Sequence, residues 1–231
     1  MLRLFIILSF LFSACAKTQT GYSVGTSPGG DTPPKTWLAL GDSYTIGQSV
    51  DIFDRFPDQT ATLLRARGVN LPVPDYIATT GWTTIDLQNA INTRNPAPHD
   101  VVSLLIGVND QYQTHDTTGY RQRFTVLLEK SIQLARNKKQ NVFVLSIPDY
   151  SVTPYAAGLD RPRIRMEIDW FNAINRSVTE SYGITYLDIT PSTREAETDP
   201  SLVAFDGLHP SALEYKKWAE RLAPLVRPVL R

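Results

Sequence analysis

From residue 36 onward, short apolar runs alternate with longer amphipathic stretches. Trp37 to Leu40, Asp75 to Ala78, Val101 to Ile106, Asn141 to Ser146 and Thr185 to Asp188 have strand length and apolar character, which predicts buried strands. Between them the apolar positions fall at helical spacing. Tyr120, Phe124, Leu127, Leu128, Ile132 and Ala135 form one stripe, and Ile164, Ile168, Phe171, Ile174, Val178 and Tyr182 another, so each marks a long helix with one buried face. Gln59 to Arg67 and Thr84 to Ile91 predict shorter helices. In the last helix, Ser211 is placed to cap the amino end and Glu214 to complete a capping box, while Pro224 should end the helix near Leu222. Strands alternating with helices specify a parallel sheet covered on both faces, a three-layer α/β/α sandwich of about five strands. Asn109 to Gly119 and Ile147 to Asp160 are predicted as long loops after strand carboxyl ends, where they would wall a substrate cleft.

The amino-terminal segment follows a different pattern. Residues 1 to 15 predict an export signal, with Arg3 as the positive charge and Leu4 to Phe12 as an apolar core too short to span a bilayer as a helix. Cys15, the only cysteine, follows Leu11-Phe12-Ser13-Ala14, a stretch that resembles a bacterial lipobox. That resemblance implies a lipid anchor on Cys15 and an exported, membrane-tethered lipoprotein, in the periplasm or at the cell surface. Residues 16 to 35, rich in glycine, serine, threonine and proline, predict a flexible linker to a domain spanning 36 to 231. Gly21-Tyr22-Ser23-Val24-Gly25 matches a nucleophile-elbow pattern but has neither the strand before it nor the helix after it that the elbow requires.

Composition narrows the function by exclusion. Lysine plus arginine and aspartate plus glutamate each number 23, and no basic run interrupts the chain, which argues against a nucleic-acid partner. No H-E-x-x-H, G-x-G-x-x-G or P-loop pattern occurs, so no metal and no cofactor is expected. His99 is expected at the surface, and His115 is placed to line the cleft.

The remaining chemistry concentrates in three segments. Gly41-Asp42-Ser43 forms a turn at the carboxyl end of the first strand, the place where open parallel sheets bind ligands. A serine hydroxyl needs a neighbouring base and oxyanion donors to act as a nucleophile. Phe205-Asp206-Gly207-Leu208-His209 offers a carboxylate three residues before an imidazole, so that Asp206 could orient His209 and His209 could take the proton of Ser43. Gly107-Val108-Asn109-Asp110 offers an amide after the third strand.

These blocks, with Ala78-Thr79-Thr80-Gly81-Trp82 after the second strand, resemble the SGNH/GDSL hydrolase superfamily over about residues 36 to 226. The resemblance implies a flavodoxin-like α/β/α hydrolase and a serine esterase without cofactor. Its acyl-enzyme would form on Ser43, with Asp206 and His209 completing the triad. It further implies an oxyanion hole from the backbone amides of Ser43 and Gly81 and the side chain of Asn109, and gives Asp42 a role in shaping the turn. The substrate would be a small-molecule, glycan or lipid ester, with short acyl or acetyl groups favoured. An acyltransferase with a carbohydrate acceptor, and a non-catalytic tethered binding protein, are the alternatives on the same scaffold.

Overall fold

The computed structural model describes residues 33–231. The predicted export signal, the lipidation site Cys15, the Gly21 to Gly25 pattern and residues 16 to 32 of the linker lie outside the described residues. All five predicted strands are present: β1 Trp37–Gly41, β2 Asp75–Ala78, β3 Val101–Leu105, β4 Val142–Leu145 and β5 Thr185–Leu187. Eight α-helices accompany them among the described residues: α1 Ser43–Ile46, α2 Phe56–Arg65, α3 Thr84–Arg94, α4 Val108–Thr114, α5 Thr117–Leu134, α6 Arg161–Ser181, α7 Thr190–Thr193 and α8 Ala212–Val226.

The strands pair in parallel in the order β2-β1-β3-β4-β5. Because parallel crossovers are right-handed, the step from β1 outward to β2 and the steps from β2 through β5 put their helices on opposite faces. Packing follows this rule: α2 packs against α8, whereas α3 packs on α5 and α5 on α6. The direction of the strand order reverses between β1 and β3, and a crevice opens at their carboxyl ends.

Strands β1, β3 and β4 are buried along their whole length, as strands covered on both faces must be. Each helical layer then contributes its own aromatic cluster. Phe56, Tyr215 and Trp218 meet between α2 and α8, with Trp218 and Tyr215 edge to face at 5.0 Å. On the opposite face Tyr120 lies 4.6 Å from Phe171 and 5.7 Å from Phe124 between ring centroids. The indole Nε1 of buried Trp218 donates to Glu214 Oε1 at 2.6 Å, so the ring carries no unpaired donor into the core.

Several local expectations are corrected. Pro224 lies inside α8 rather than ending it: Val226 and Leu230 are buried beyond it, and their burial outweighs the one hydrogen bond that proline withholds. Ser211 caps α8 through Glu214 N–H, but the Glu214 carboxylate turns to Trp218 and Lys217 instead of closing a capping box. The predicted loop after β3 contains α4, whose polar sequence Val108 to Thr114 hides its helical character. Two single turns of 3-10 helix, Tyr150–Val152 and Pro154–Ala156, interrupt the predicted loop after β4. His99 is buried rather than at the surface, with Nε2 2.9 Å from Asp75 Oδ2.

The tightest constraint is at Gly41, the last residue of β1, which pairs with Leu105 of β3. A Cβ there would lie 2.1 Å from Thr45 Oγ1 and 2.4 Å from the Leu105 carbonyl oxygen. Substitution Gly41→Ala is therefore expected to lower the unfolding free energy by about 2 kcal/mol or more. The check is the urea midpoint, and an unchanged midpoint would mean that β1 can draw away from β3 without cost.

Candidate active site

The turn from β1 into α1 is held by Asp42. Its Oδ1 accepts from Tyr44 N–H at 3.0 Å, an amino-terminal cap that starts the helix at Ser43. Asp42 is fully buried and its Oδ2 has no hydrogen-bond partner. Burial is the main cause that pushes its carboxyl group up to about 8, helped by the charge of Asp110 and opposed by the Tyr44 N–H. Asp42 therefore keeps its proton at neutral pH and shapes the turn as an uncharged cap. Ser43 sits at the first position of α1, nearly buried, and its own N–H is one of the donors that a helix start leaves unpaired.

Asp206 and His209 come to the same place from the other end of the chain. A narrow loop is closed by a bridge between Val203 and Pro210 and by the Ala204 N–H donating to the His209 carbonyl at 2.7 Å. Within it Gly207 takes a left-handed φ of 72°, and Asp206 Oδ1 accepts from the N–H groups of Leu208 and His209 at 2.9 and 3.0 Å. Those bonds aim Oδ2 at His209 Nδ1, 2.6 Å away. Partial burial raises the Asp206 carboxyl pKa, but donors from Ser49, His209 and the backbone outweigh it and hold the group down at about 2. The Tyr44 ring lies 5.0 Å from the imidazole, tilted at 54°, and backs it on the core side.

The third wall is built from α4 and the Thr79 to Trp82 loop. Gly81 has a φ of 82°, and its N–H donates no hydrogen bond among the described residues. Asn109 Nδ2 donates to the Trp82 carbonyl at 2.9 Å, and Gln113 Nε2 to the Gly81 carbonyl at 3.2 Å, so α4 pins this loop while one Asn109 N–H stays free. Beneath them buried Asp110 accepts from Thr84 N–H at 2.8 Å and from Arg123 Nη2 at 3.1 Å, tying α4 to the start of α3 and to the second turn of α5.

Ser43, Asn109 and His209 line one cavity of about 90 Å³, together with Tyr44, Tyr112, Tyr150 and Tyr155. Gly81 is not in the lining of this cavity; its carbonyl is tied to Gln113, and the neighbouring Trp82 carbonyl to Asn109. His115 does not line it either: it caps α4 in a left-handed conformation and pairs with Glu167 at 2.7 Å. Among the described residues no group of histidine, cysteine, aspartate and glutamate could hold a metal ion, and no helix is long and apolar enough to cross a membrane.

Two contributors went unread in the sequence. Tyr112 was hidden inside a predicted loop, although an aromatic following the Asn-Asp pair is a usable signal for the cavity wall. Its hydroxyl meets that of Tyr155 at 2.9 Å. Ser49 bonds to Asp206 across 157 positions, a contact with no local signature.

A single parallel sheet with this strand order, and a serine, an imidazole and an amide gathered at its switch point, define a class of hydrolase. A family model described as the GDSL-like Lipase/Acylhydrolase family matches residues 39–217, and the chain belongs to that family. Solved structures share the fold. The lipase/acylhydrolase from Enterococcus faecalis is 16% identical with a TM-score of 0.67, covering 84% of this chain and 96% of that one. The acetylxylan esterase Axe2 from Geobacillus stearothermophilus is 18% identical with a TM-score of 0.63, covering 83% and 94%. The psychrotrophic esterase EstA from Pseudoalteromonas sp., in a form inhibited by monoethylphosphonate, is 17% identical with a TM-score of 0.55, covering 85% and 94%. No curated protein sequence matches the chain significantly.

The state of Asp42 has a measurable consequence. Its folded pKa of about 8 lies above the unfolded value of 3.8, so between those values the unfolded chain releases a proton that the folded chain keeps, and stability falls as pH rises. Asp42→Asn removes that dependence while keeping an acceptor for Tyr44. The variant should gain in melting temperature relative to the parent as pH rises from about 4 to about 8. A difference that stays flat with pH would mean that Asp42 is ionised in the fold.

Proposed function

We propose that this GDSL-family hydrolase is a serine esterase for short acyl esters, acting through an acyl-enzyme on Ser43. The observation that carries the proposal is the convergence of Ser43, Asn109 and His209 on one cavity, with the imidazole held from behind by Asp206. In this mechanism Ser43 Oγ attacks the ester carbonyl carbon while His209 Nε2 takes the hydroxyl proton. Asp206, ionised at neutral pH, stabilises the imidazolium through Nδ1. The carbonyl oxygen becomes an anion that accepts from Ser43 N–H, Gly81 N–H and the free Asn109 N–H, each donor worth about 2.7–4 kcal/mol in such sites. Collapse breaks the ester C–O bond, and the alcohol leaves with the proton from His209. Water, deprotonated by the same imidazole, then attacks the acyl carbon, releasing the acid and restoring Ser43.

Cavity size supports the acyl preference. A cavity of about 90 Å³, walled in part by Tyr112, Tyr150 and Tyr155, has room for an acetyl group. A lipid anchor on Cys15 would hold the enzyme at a membrane outside the cytoplasm, with the linker giving it reach.

Ser43→Ala should reduce turnover of p-nitrophenyl acetate by about four to six orders of magnitude with the fold intact, the scale on which a triad nucleophile acts. An ethylphosphonate ester should add a single phosphonyl group to Ser43, located by peptide mass spectrometry, and none to the variant. Full activity in Ser43→Ala would sink the mechanism. Tyr112→Ala should open the acyl side, raising the ratio of octanoate to acetate hydrolysis by roughly tenfold. A ratio that does not move would show that this ring does not limit chain length.

A further inference from the structure

The turn that follows the nucleophile helix is built unlike an ordinary connection. Gly47 ends α1 with a φ of 70°, as a helix-ending glycine does, but Ser49 repeats the left-handed geometry at a φ of 68°. A serine in that region is uncommon, and strain of this kind persists only where surrounding contacts over-determine the conformation. The contacts here are specific. Ser49 Oγ donates to Asp206 Oδ2 at 2.6 Å, and neighbouring Gln48 Oε1 accepts from Thr80 Oγ1 at 2.7 Å, beside Gly81. One turn leaving the nucleophile thus reaches both other walls of the site.

We propose that Ser49 is a positioning residue, which locks the Asp206 carboxylate in the orientation that His209 needs and shares the charge of Oδ2 with the imidazole. This rests on the triad roles given above to Asp206 and His209. Without Ser49, Oδ2 would have His209 Nδ1 as its one donor, and the carboxylate would be fixed from one side by the Leu208 and His209 N–H groups. With Ser49, all four hydrogen bonds oppose rotation of the carboxylate plane. The second donor also withdraws part of the negative charge that would otherwise fall on the imidazolium, so it tempers the base as well as aiming it. The other titratable groups that feel Asp206 are the phenols of Tyr44 and Tyr215, both buried and held protonated chiefly by that burial. His209 is therefore the group through which a change at Asp206 reaches catalysis.

Two variants separate positioning from folding. Ser49→Ala removes the hydroxyl and keeps the backbone strain, whereas Ser49→Gly removes the hydroxyl and relieves the strain. Both should lower kcat on p-nitrophenyl acetate roughly tenfold with KM little changed, the scale on which an outer hydrogen-bond partner acts. Both should also move the acid limb of the kcat/KM profile to higher pH by about half a unit, because an unshared Oδ2 binds the imidazolium more strongly. In the resting protein, carbon-13 NMR of the Asp206 carboxyl should show its midpoint rising from about 2 in each variant. The glycine variant should hold its melting temperature, which shows that lost activity is not lost fold. Unchanged kcat, profile and carboxyl midpoint in the glycine variant would overturn the proposal. The carboxyl titration does not depend on turnover. A raised midpoint in a protein whose Ser43→Ala variant stays active would retain Ser49 as the Asp206 partner and reject the triad mechanism instead.

Discussion

The close approach of β1 to β3 is the constraint on which the rest depends. Gly41 pairs with Leu105 and has no room for a side chain, so the two strands end level with each other at the point where the strand order reverses. Ser43 and Asn109 leave those two ends and face the same crevice. A rigid, fully buried strand pair aims them, which keeps the two side chains in register better than mobile loops could. His209 then comes from a distant loop, which leads into α8 where that helix packs on α2 through Phe56, Tyr215 and Trp218.

Two carboxylates near Ser43 are driven in opposite directions by their surroundings. Asp42 is sealed from solvent with one oxygen unpartnered, and burial keeps its proton on up to about 8. Asp206 lies nearer the surface among four donors, which hold it ionised down to about 2. The same functional group thus caps a helix without charge at one position and carries the charge beside the imidazole at the other. Full burial at Asp42 and a surplus of donors at Asp206, more than distance from Ser43, separate the two environments.

The periodic parts of the chain were legible because burial imposes period. Both long stripes became α5 and α6, and every predicted strand formed, since a strand covered on two faces or a helix covered on one leaves an apolar record. Legibility failed where tertiary burial overrode local preference. The α4 helix is polar along most of its length because it presents its residues to a crevice and a buried network around Asp110 instead of to an apolar core. Pro224 continues a helix because Val226 and Leu230 are anchored beyond it. His99, in the loop before β3, is buried with its ring N–H donated to Asp75 of β2, two strands away in the sheet.

Of the candidate site, the residues within short motifs were visible: Ser43 in its turn, Asn109 after its strand, and Asp206 with His209 three positions on. Sequence spacing alone determined that the last two could meet, since a turn that short leaves the carboxylate and the imidazole few places to go. Which donors complete the carboxylate, that Tyr112 joins the cavity wall and whether Asp42 carries charge were decided only by the tertiary structure. Ser49 meets Asp206 across 157 positions, and Tyr112 meets Tyr155 between a helix and a loop from different crossovers. Hydrogen bonds and desolvation act at contact distance, and the chain's order along the sequence does not record which distant segments the sheet will bring into contact.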